Sequence, residues 1–257
     1  TTGDTKGNWI FVKDDEGKIT SDESNGRTDG DGIFAKNEGT SLTINAATTT
    51  GGLFGIYAFN RGTGALSITT TGTTTGETKD GIYASIDNAD STGDLTINAA
   101  TTTGGRYGIF AQNNGSGALS ITTTGTTTGG RDGIYASIDN AASTGDLTIV
   151  TGEFDAEGNL IKSVDTTGGT NGIKAKNLGT GALSITTTGT TTGGGTYSDG
   201  INAKNGTRYT SAGTDLTIKA ATTTGGRMGI FARNYGSGAL SITTTGKTTG
   251  GTGHGID

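Results

Sequence analysis

The 257 residues contain no cysteine and no proline, and only one histidine, one tryptophan and one methionine. Without cysteine there is no disulfide and no thiolate metal site, and the chain suits a route on which it must stay unlinked while crossing a membrane. Hydrophobic residues reach only 29%, well below the roughly half usual in globular domains, which argues against an ordinary core. No run of about 18 apolar residues exists, so no membrane-spanning helix is encoded. No signal peptide opens the chain, and it stops just after a fresh Gly255-Ile256, so it reads as a piece of a longer protein. The lone His254 sits where Asp80, Asp132 and Asp199 stand elsewhere, before a Gly-Ile pair, and reads as a turn residue. Nucleophilic catalysis needs a nucleophile with a base. No Gly-x-Ser-x-Gly elbow and no His-Glu-x-x-His motif is present.

Glycine, by contrast, is abundant at 50 residues. Low hydrophobicity with much Gly, Thr and Ser could mean disorder. Periodicity rejects that reading. Gly-Ile pairs begin at Gly32, Gly55, Gly81, Gly108, Gly133, Gly172, Gly200, Gly229 and Gly255, mostly 23 to 29 residues apart, with one interval of 39. In the first eight units an Ala follows three places after the Gly, from Ala35 to Ala232, and then a Leu-x-Ile, from Leu42-Ile44 to Leu240-Ile242. Ile-x-Ala and Leu-x-Ile are period-2 patterns, so each unit carries two short strands with one buried face. The closing Thr tract, β-branched and bounded by Gly, suits a third strand.

Each unit has the same apolar row and can bury it only against its neighbours, so stacking gives ladders of Ile, Ala, Leu and Ile along one axis. The predicted fold is all-β: a right-handed parallel β-helix of about eight coils, roughly 40 Å long at about 4.8 Å per coil. Right-handedness is preferred because left-handed forms count in regular six-residue steps. Helical solenoids and leucine-rich repeats lack support in the spacing. A propeller of 52-residue blades fits the length, but it would need four strands and hairpin signals per blade. The core is expected to be thin, with Ala46 and Ala47, or Thr70, where Leu or Val would usually stand. Asn37, Asn60, Asn113, Asn177, Asn205 and Asn234 recur five places after Gly and predict a structural asparagine ladder. The 52-residue near-identity of Gly81–Gly105 and Gly133 onward is a two-coil period. It alternates a tight turn with a longer one that staggers bulky loops.

Two stretches depart from the repeat. Asn8 to Glu23 reads as a hairpin within a cap over residues 1–30, covering the open edge of the helix of residues 31–257. Residues 152–164 read as an inserted hairpin projecting sideways from the fifth coil. Its Asp155-Ala156-Glu157-Gly158-Asn159 lacks a full calcium-loop spacing and fits a turn better.

The lines GI-[FY]-A-x-N…G-x-G-A-L-S-I-T-T-T-G-T-T-T-G-G, fullest at Gly55–Gly76 and Gly108–Gly130, resemble passenger domains of bacterial autotransporters (type V secretion). They are most similar to the Thr/Gly-rich alphaproteobacterial, Bartonella-like type. The resemblance covers nearly the whole chain from about Gly30. It implies export to the bacterial cell surface or beyond through a C-terminal translocator barrel outside this sequence. It also implies adhesion, host-cell signalling or, less often, proteolysis or lipolysis.

On the outward positions of the Gly-Ile strand in the first eight units, no acidic residue stands two or four places after the Gly. That argues against sugar-cleaving chemistry and for a non-enzymatic, cofactor-free protein. Aromatic rings fill the first of those rows in five coils and then give way to lysine. Stacking between coils explains the rings in bland terms, while a docking stripe is the functional reading. Residues 39–169 carry 5 basic and 12 acidic groups, whereas residues 170–257 carry 8 and 3. The acidic majority argues against nucleic acid, and the basic end suits an acidic glycan or receptor surface. The candidate partner-binding residues are therefore Tyr57, Tyr83, Phe110 and Tyr135; Phe154 and Lys162 on the inserted hairpin; and Lys174, Lys176, Lys204 and Arg233. The leading expectation is an adhesin or virulence factor binding a host cell-surface protein or acidic glycan. The alternatives are a released effector acting like a growth factor on a host receptor, and a stalk or self-associating module. An ice-binding plane is not expected from the mixed Thr/Ser and Asn/Thr rows beside Leu-x-Ile.

Overall fold

The computed structural model describes residues 30–208 and 213–257, and the backbone of Phe11–Lys13 and Lys18–Thr20. The described residues contain strands and turns and no helix, wound as a parallel β-helix. A typical coil is Ile82–Ile86, Leu95–Ala99 and Thr102–Gly104. The Gly-Ile strands form one eight-stranded sheet, from Ile33–Asn37 to Met228–Asn234. The Leu-x-Ile and Thr-tract strands form a second sheet of fourteen. Its two halves are joined where Leu183–Gly193 and Leu216–Gly225 run through both without a break.

Register follows the repeat. Ile82 pairs with Ile56 and Ile109, Ala84 with Ala58 and Ala111, Leu95 with Leu66 and Leu119, and Ile97 with Ile68 and Ile121. These inward side chains are fully buried in the central coils and form one continuous core. Full burial of each Leu or Ile is worth about 1.5–3 kcal/mol, which suffices because every coil contributes the same set.

The third strand is only Thr-Thr-Gly, and its first Thr is a core residue. Thr74, Thr102, Thr127, Thr166 and Thr191 are completely buried, each beneath a Gly of the Gly-Ile corner. A Cβ added to Gly81 would meet the Thr102 γ-methyl at 2.5 Å and the Gly108 carbonyl oxygen at 2.7 Å. Thr and Gly thus interlock: the corner has no room for a side chain, and the threonine methyl fills the space a larger residue would need. This is the thin core in physical form, and it carries a cost. The hydroxyls of Thr102, Thr127, Thr166 and Thr191 have no hydrogen-bond partner, whereas Thr49–Thr74 and Thr223–Thr248 are linked at 3.3 and 3.1 Å.

The asparagine ladder is not continuous. Asn37 donates to Asn60 at 2.8 Å, but Ile86 and Ile138 take the Asn place in two of the long-turn coils, where they are buried. Asn113 instead staples its own turn: its Oδ1 accepts from Gly115 N at 2.9 Å and its Nδ2 donates to the Gly117 carbonyl at 3.1 Å. Ile86 and Ile138 exchange this staple for core burial, whereas Asn205, before a turn longer still, stays Asn and donates to the Thr214 and Asp215 carbonyls at 3.3 and 3.1 Å. The long turns do alternate with tight ones, and they reach across: Asn140 Nδ2 donates to the Ala89 carbonyl at 3.4 Å, past the intervening coil.

Phe11–Lys13 pairs antiparallel with Lys18–Thr20 and lies beside Ile33–Asn37, the edge strand of the Gly-Ile sheet. The remainder of the 1–29 segment falls outside the described residues. The inserted hairpin pairs Glu153 with Lys162 and Phe154 with Leu160. Its turn is closed by Asp155, which accepts from Asn159 N at 2.7 Å and Asn159 Nδ2 at 2.9 Å, with Gly158 at φ +83°.

Replacing Thr127 by Val keeps the β-branched shape and removes a hydroxyl buried without a partner. Thr127→Val should stabilise the fold by about 1 kcal/mol in denaturant unfolding. Thr127→Ser, which deletes the interlocking methyl, should destabilise it.

Candidate binding face

Alternation puts the residue two places after each Gly on the outer side of the Gly-Ile sheet, and register aligns these residues. Phe34, Tyr57, Tyr83, Phe110, Tyr135, Lys174, Asn202 and Phe231 form one row. In its middle the rings lie face to face: Tyr83 and Phe110 are 4.8 Å apart with planes 5° apart, Phe110 and Tyr135 4.9 Å and 2°. Each such pair is worth about 0.5–1.5 kcal/mol beyond its burial. Ring faces are covered by other rings, so solvent meets edges and phenol groups. Burial, helped by Tyr57 and Asp87, pushes the Tyr83 phenol up to about 12.

Two rings that sequence reasoning missed thicken this row. Phe54 stacks on Tyr57 at 4.6 Å, and Tyr107 packs against Phe110 and Tyr135 at 5.4 and 5.7 Å. Both precede the Gly, in the row Asp31, Phe54, Asp80, Tyr107, Asp132, where acid and aromatic alternate. That alternation was the available signal. The row four places after Gly is less exposed than strand alternation predicts. Phe59 is buried against Phe34 and Tyr57. Ser85 and Ser137 are buried, and each hydroxyl donates to the aspartate two places on, Asp87 or Asp139.

The aspartates before Gly are buried staples between coils. Asp80 accepts two hydrogen bonds from Arg106, at 2.9 and 2.7 Å, and Asp199 accepts two from Arg227, at 2.9 and 2.6 Å. Each arginine comes from the next coil, two places before its Gly. Asp132 differs: the next coil offers Asn171, whose backbone N and Nδ2 both donate to Oδ1, while Oδ2 has no hydrogen-bond partner and only a loose ion pair with Arg131 at 4.0 Å. Among the described residues, no group of three or more His, Cys, Asp or Glu gathers as a metal site would.

The basic half continues the same face. Lys174 Nζ stands 5.6 Å from the centre of the Tyr135 ring, joining the two halves. Lys176, Lys204 and Arg233 are aligned in successive coils. Lys204, Arg227 and Arg233 surround Phe231, at 5.5, 5.4 and 4.5 Å from its centre. The structure therefore brings together Tyr57, Tyr83, Phe110, Tyr135, Lys174, Lys176, Lys204 and Arg233, and adds Arg227. It does not bring Phe154 and Lys162 to them. Their hairpin leaves the corner between the second and third strands of the other sheet, where Lys162 Nζ donates to the Thr124 carbonyl at 3.0 Å.

A third surface is more regular than the sequence rows suggested. Thr50, Thr75, Thr103, Thr128, Thr167, Thr192, Thr224 and Thr249 form an unbroken outward rank on the third strand. The rank beside it is interrupted by Asp165 and Lys247.

Comparison with known proteins gave no matching family model, no matching curated protein and no matching solved structure.

Two outcomes follow from this geometry. Thr170→Arg, which copies the position of Arg106 and Arg227, should pair with Asp132 and raise stability by about 1 kcal/mol in denaturant unfolding. Arg233 holds the Tyr235 phenol below its ordinary value by a hydrogen bond and its charge, which favour the phenolate. In an alkaline absorbance titration Tyr235 should ionise ahead of Tyr57, Tyr83, Tyr107 and Tyr135. Arg233→Gln should delay that phase.

Proposed function

We propose that this rod is a non-catalytic binding module of a secreted or cell-surface protein, of the autotransporter-passenger kind, and that it docks a host cell-surface protein through its inserted hairpin. The observation that carries the reading is the hairpin's apolar tip: Phe154, Leu160 and Ile161 are 37%, 49% and 62% exposed. Among the described residues the other large exposed hydrophobics are Tyr197, in a turn, and Leu240 and Ile256, in the last turns of the rod. Three exposed apolar side chains on one short excursion are unfavourable in water and suit a pocket on a partner. Glu153, Asp155 and Glu157 edge the tip, so the matching pocket is apolar with a basic rim. The repeat tolerates the excursion because it interrupts a corner and leaves the ladders on either side intact. Resemblance of the repeat wording to autotransporter passengers supports the surface location.

The test is binding of the purified protein to host cells, with Phe154, Leu160 and Ile161 all changed to Ser. A loss of tenfold or more in affinity, with an unchanged β-sheet circular dichroism spectrum, is expected, as for loss of central apolar anchors. Undiminished binding by the triple variant would remove the hairpin from the interface.

A further inference from the structure

We propose that the basic end of the Gly-Ile face is a separate site for a linear sulfated polysaccharide, lying along the rod axis across Lys176, Lys204 and Arg233. The proposal rests on residues of its own and does not depend on the hairpin.

Like charges directly opposite one another in neighbouring strands are destabilising. Here three cations occupy one register position in three successive coils, about 4.8 Å from one to the next. Among the described residues only Lys176 has a carboxylate in reach, Asp139 at 3.4 Å, and no carboxylate pairs with Lys174, Lys204 or Arg233. Arg227 brings a further guanidinium to the site, its charge shared with Asp199 and offset by Asp257, which follows the Ile256 bridged to Ile230. The fold therefore holds several positive groups closer than they would stand by themselves.

Phe231 is what they gather on. The aromatic rings of Tyr57, Tyr83, Phe110 and Tyr135, at equivalent positions, are partly open to solvent, but Phe231 is only 6% exposed under Lys204, Arg227 and Arg233. The ring quadrupole offsets part of the repulsion, about 0.5–1 kcal/mol per exposed contact, but cancels no charge. Arg233 donates to the Tyr235 hydroxyl at 3.4 Å, and that hydrogen bond and charge, which hold the phenol below its ordinary value, favour an anion there.

The extent of the site selects a chain of anions over a single ion. Lys176 to Arg233 spans two coil rises, about 10 Å, and Lys174 lies alongside in the neighbouring row. A single-stranded nucleic acid would need open aromatic faces for its bases. The Phe231 face is covered by cations, and one face of Tyr135 by Phe110. An anionic membrane would need open apolar side chains beside the cations, but Phe231 is 6% exposed beneath them and the outward position next to it holds Asn202. Guanidinium is weakly hydrated and presents paired donors, which matches the oxygens of a sulfate ester.

The test is calorimetric titration of the whole protein with a highly sulfated heparin-type oligosaccharide. Parallel titrations use the same oligosaccharide with its sulfates removed and its carboxylates kept, a single-stranded oligonucleotide of equal charge, and phosphatidylserine vesicles. The sulfated chain is expected to bind at least tenfold more tightly than each of the others. Lys204→Gln with Arg233→Gln should weaken it tenfold or more and flatten the slope of log affinity against log salt by about 2. Lys219→Gln with Lys247→Gln, on the other sheet, should change affinity by less than twofold. The register argument adds a readout without ligand: Lys204→Gln should raise Tm, because it relieves repulsion. Equal binding of the desulfated chain, the oligonucleotide or the vesicles, or equal losses from both double variants, would overturn the proposal. So would a lowered Tm for Lys204→Gln. The triple hairpin variant should keep full affinity for the oligosaccharide, so each reading stands or fails separately.

Discussion

Ile82 lies between Ile56 and Ile109, and the inward Ala of that strand and the Leu and Ile of the next likewise lie between copies of themselves. The fold depends on this like-on-like parallel register. A single coil has too little apolar surface to hold itself together; it is stable because the coils above and below present the same rows at the same height. The Gly-Ile corner fixes that height. With the Gly108 carbonyl 2.7 Å from where a Gly81 Cβ would stand, the backbones approach as closely as they can. The Thr102 methyl fills the remaining space. Glycine and threonine, which in another chain would signal disorder, here let a thin core close.

Register has no preference about what it aligns. Where the aligned residues are aromatic, they stack and reinforce the ladder, as Tyr83, Phe110 and Tyr135 do. Where they are aspartate and arginine offset by one coil, they staple the corner, as Asp80 and Arg106 do. Where they are all cationic, the same geometry works against the fold, and Lys176, Lys204 and Arg233 are held together at a cost. One constraint thus produces a cohesive half and a frustrated half on a single face. The frustrated half is where an outside anion has most to offset.

How far the sequence could be read depended on whether a residue's fate was decided by strand alternation alone. The Gly-Ile and Leu-x-Ile rows, and with them the solenoid and its inward ladders, were legible because period-2 burial decides them locally. The outer aromatic row and the basic row were placed correctly for the same reason. Ser85 and Ser137 stand in the outward row as alternation predicts, yet they are buried, each bonded to the aspartate two places on, a contact that no two-residue period encodes. The six asparagines were legible as a recurring residue but not in their bonding: Asn113, with Ile on both sides, closes its own turn instead of joining a ladder. Phe54 and Tyr107 went unnoticed because they precede the glycine. Arg227 went unnoticed because its role depends on Asp199 one coil earlier.

Departures from the repeat are confined to corners, and the reason is energetic. A residue inserted within a strand would shift every later side chain of that strand to the opposite face and expose its Leu or Ile. An insertion between strands costs only loop closure, which grows slowly with length. The hairpin at residues 152–164 uses this freedom: Leu147–Thr151 and Thr166–Gly168 keep their partners on both sides, while Glu153 to Lys162 leave the rod. Such an excursion is free of the like-on-like rule, so it can carry side chains that would be wrong in a ladder. The faces are limited to what stacking allows, repeated rings, hydroxyls or charges. A singular surface, such as the apolar tip of Phe154, Leu160 and Ile161, can arise only where the stacking has been left behind.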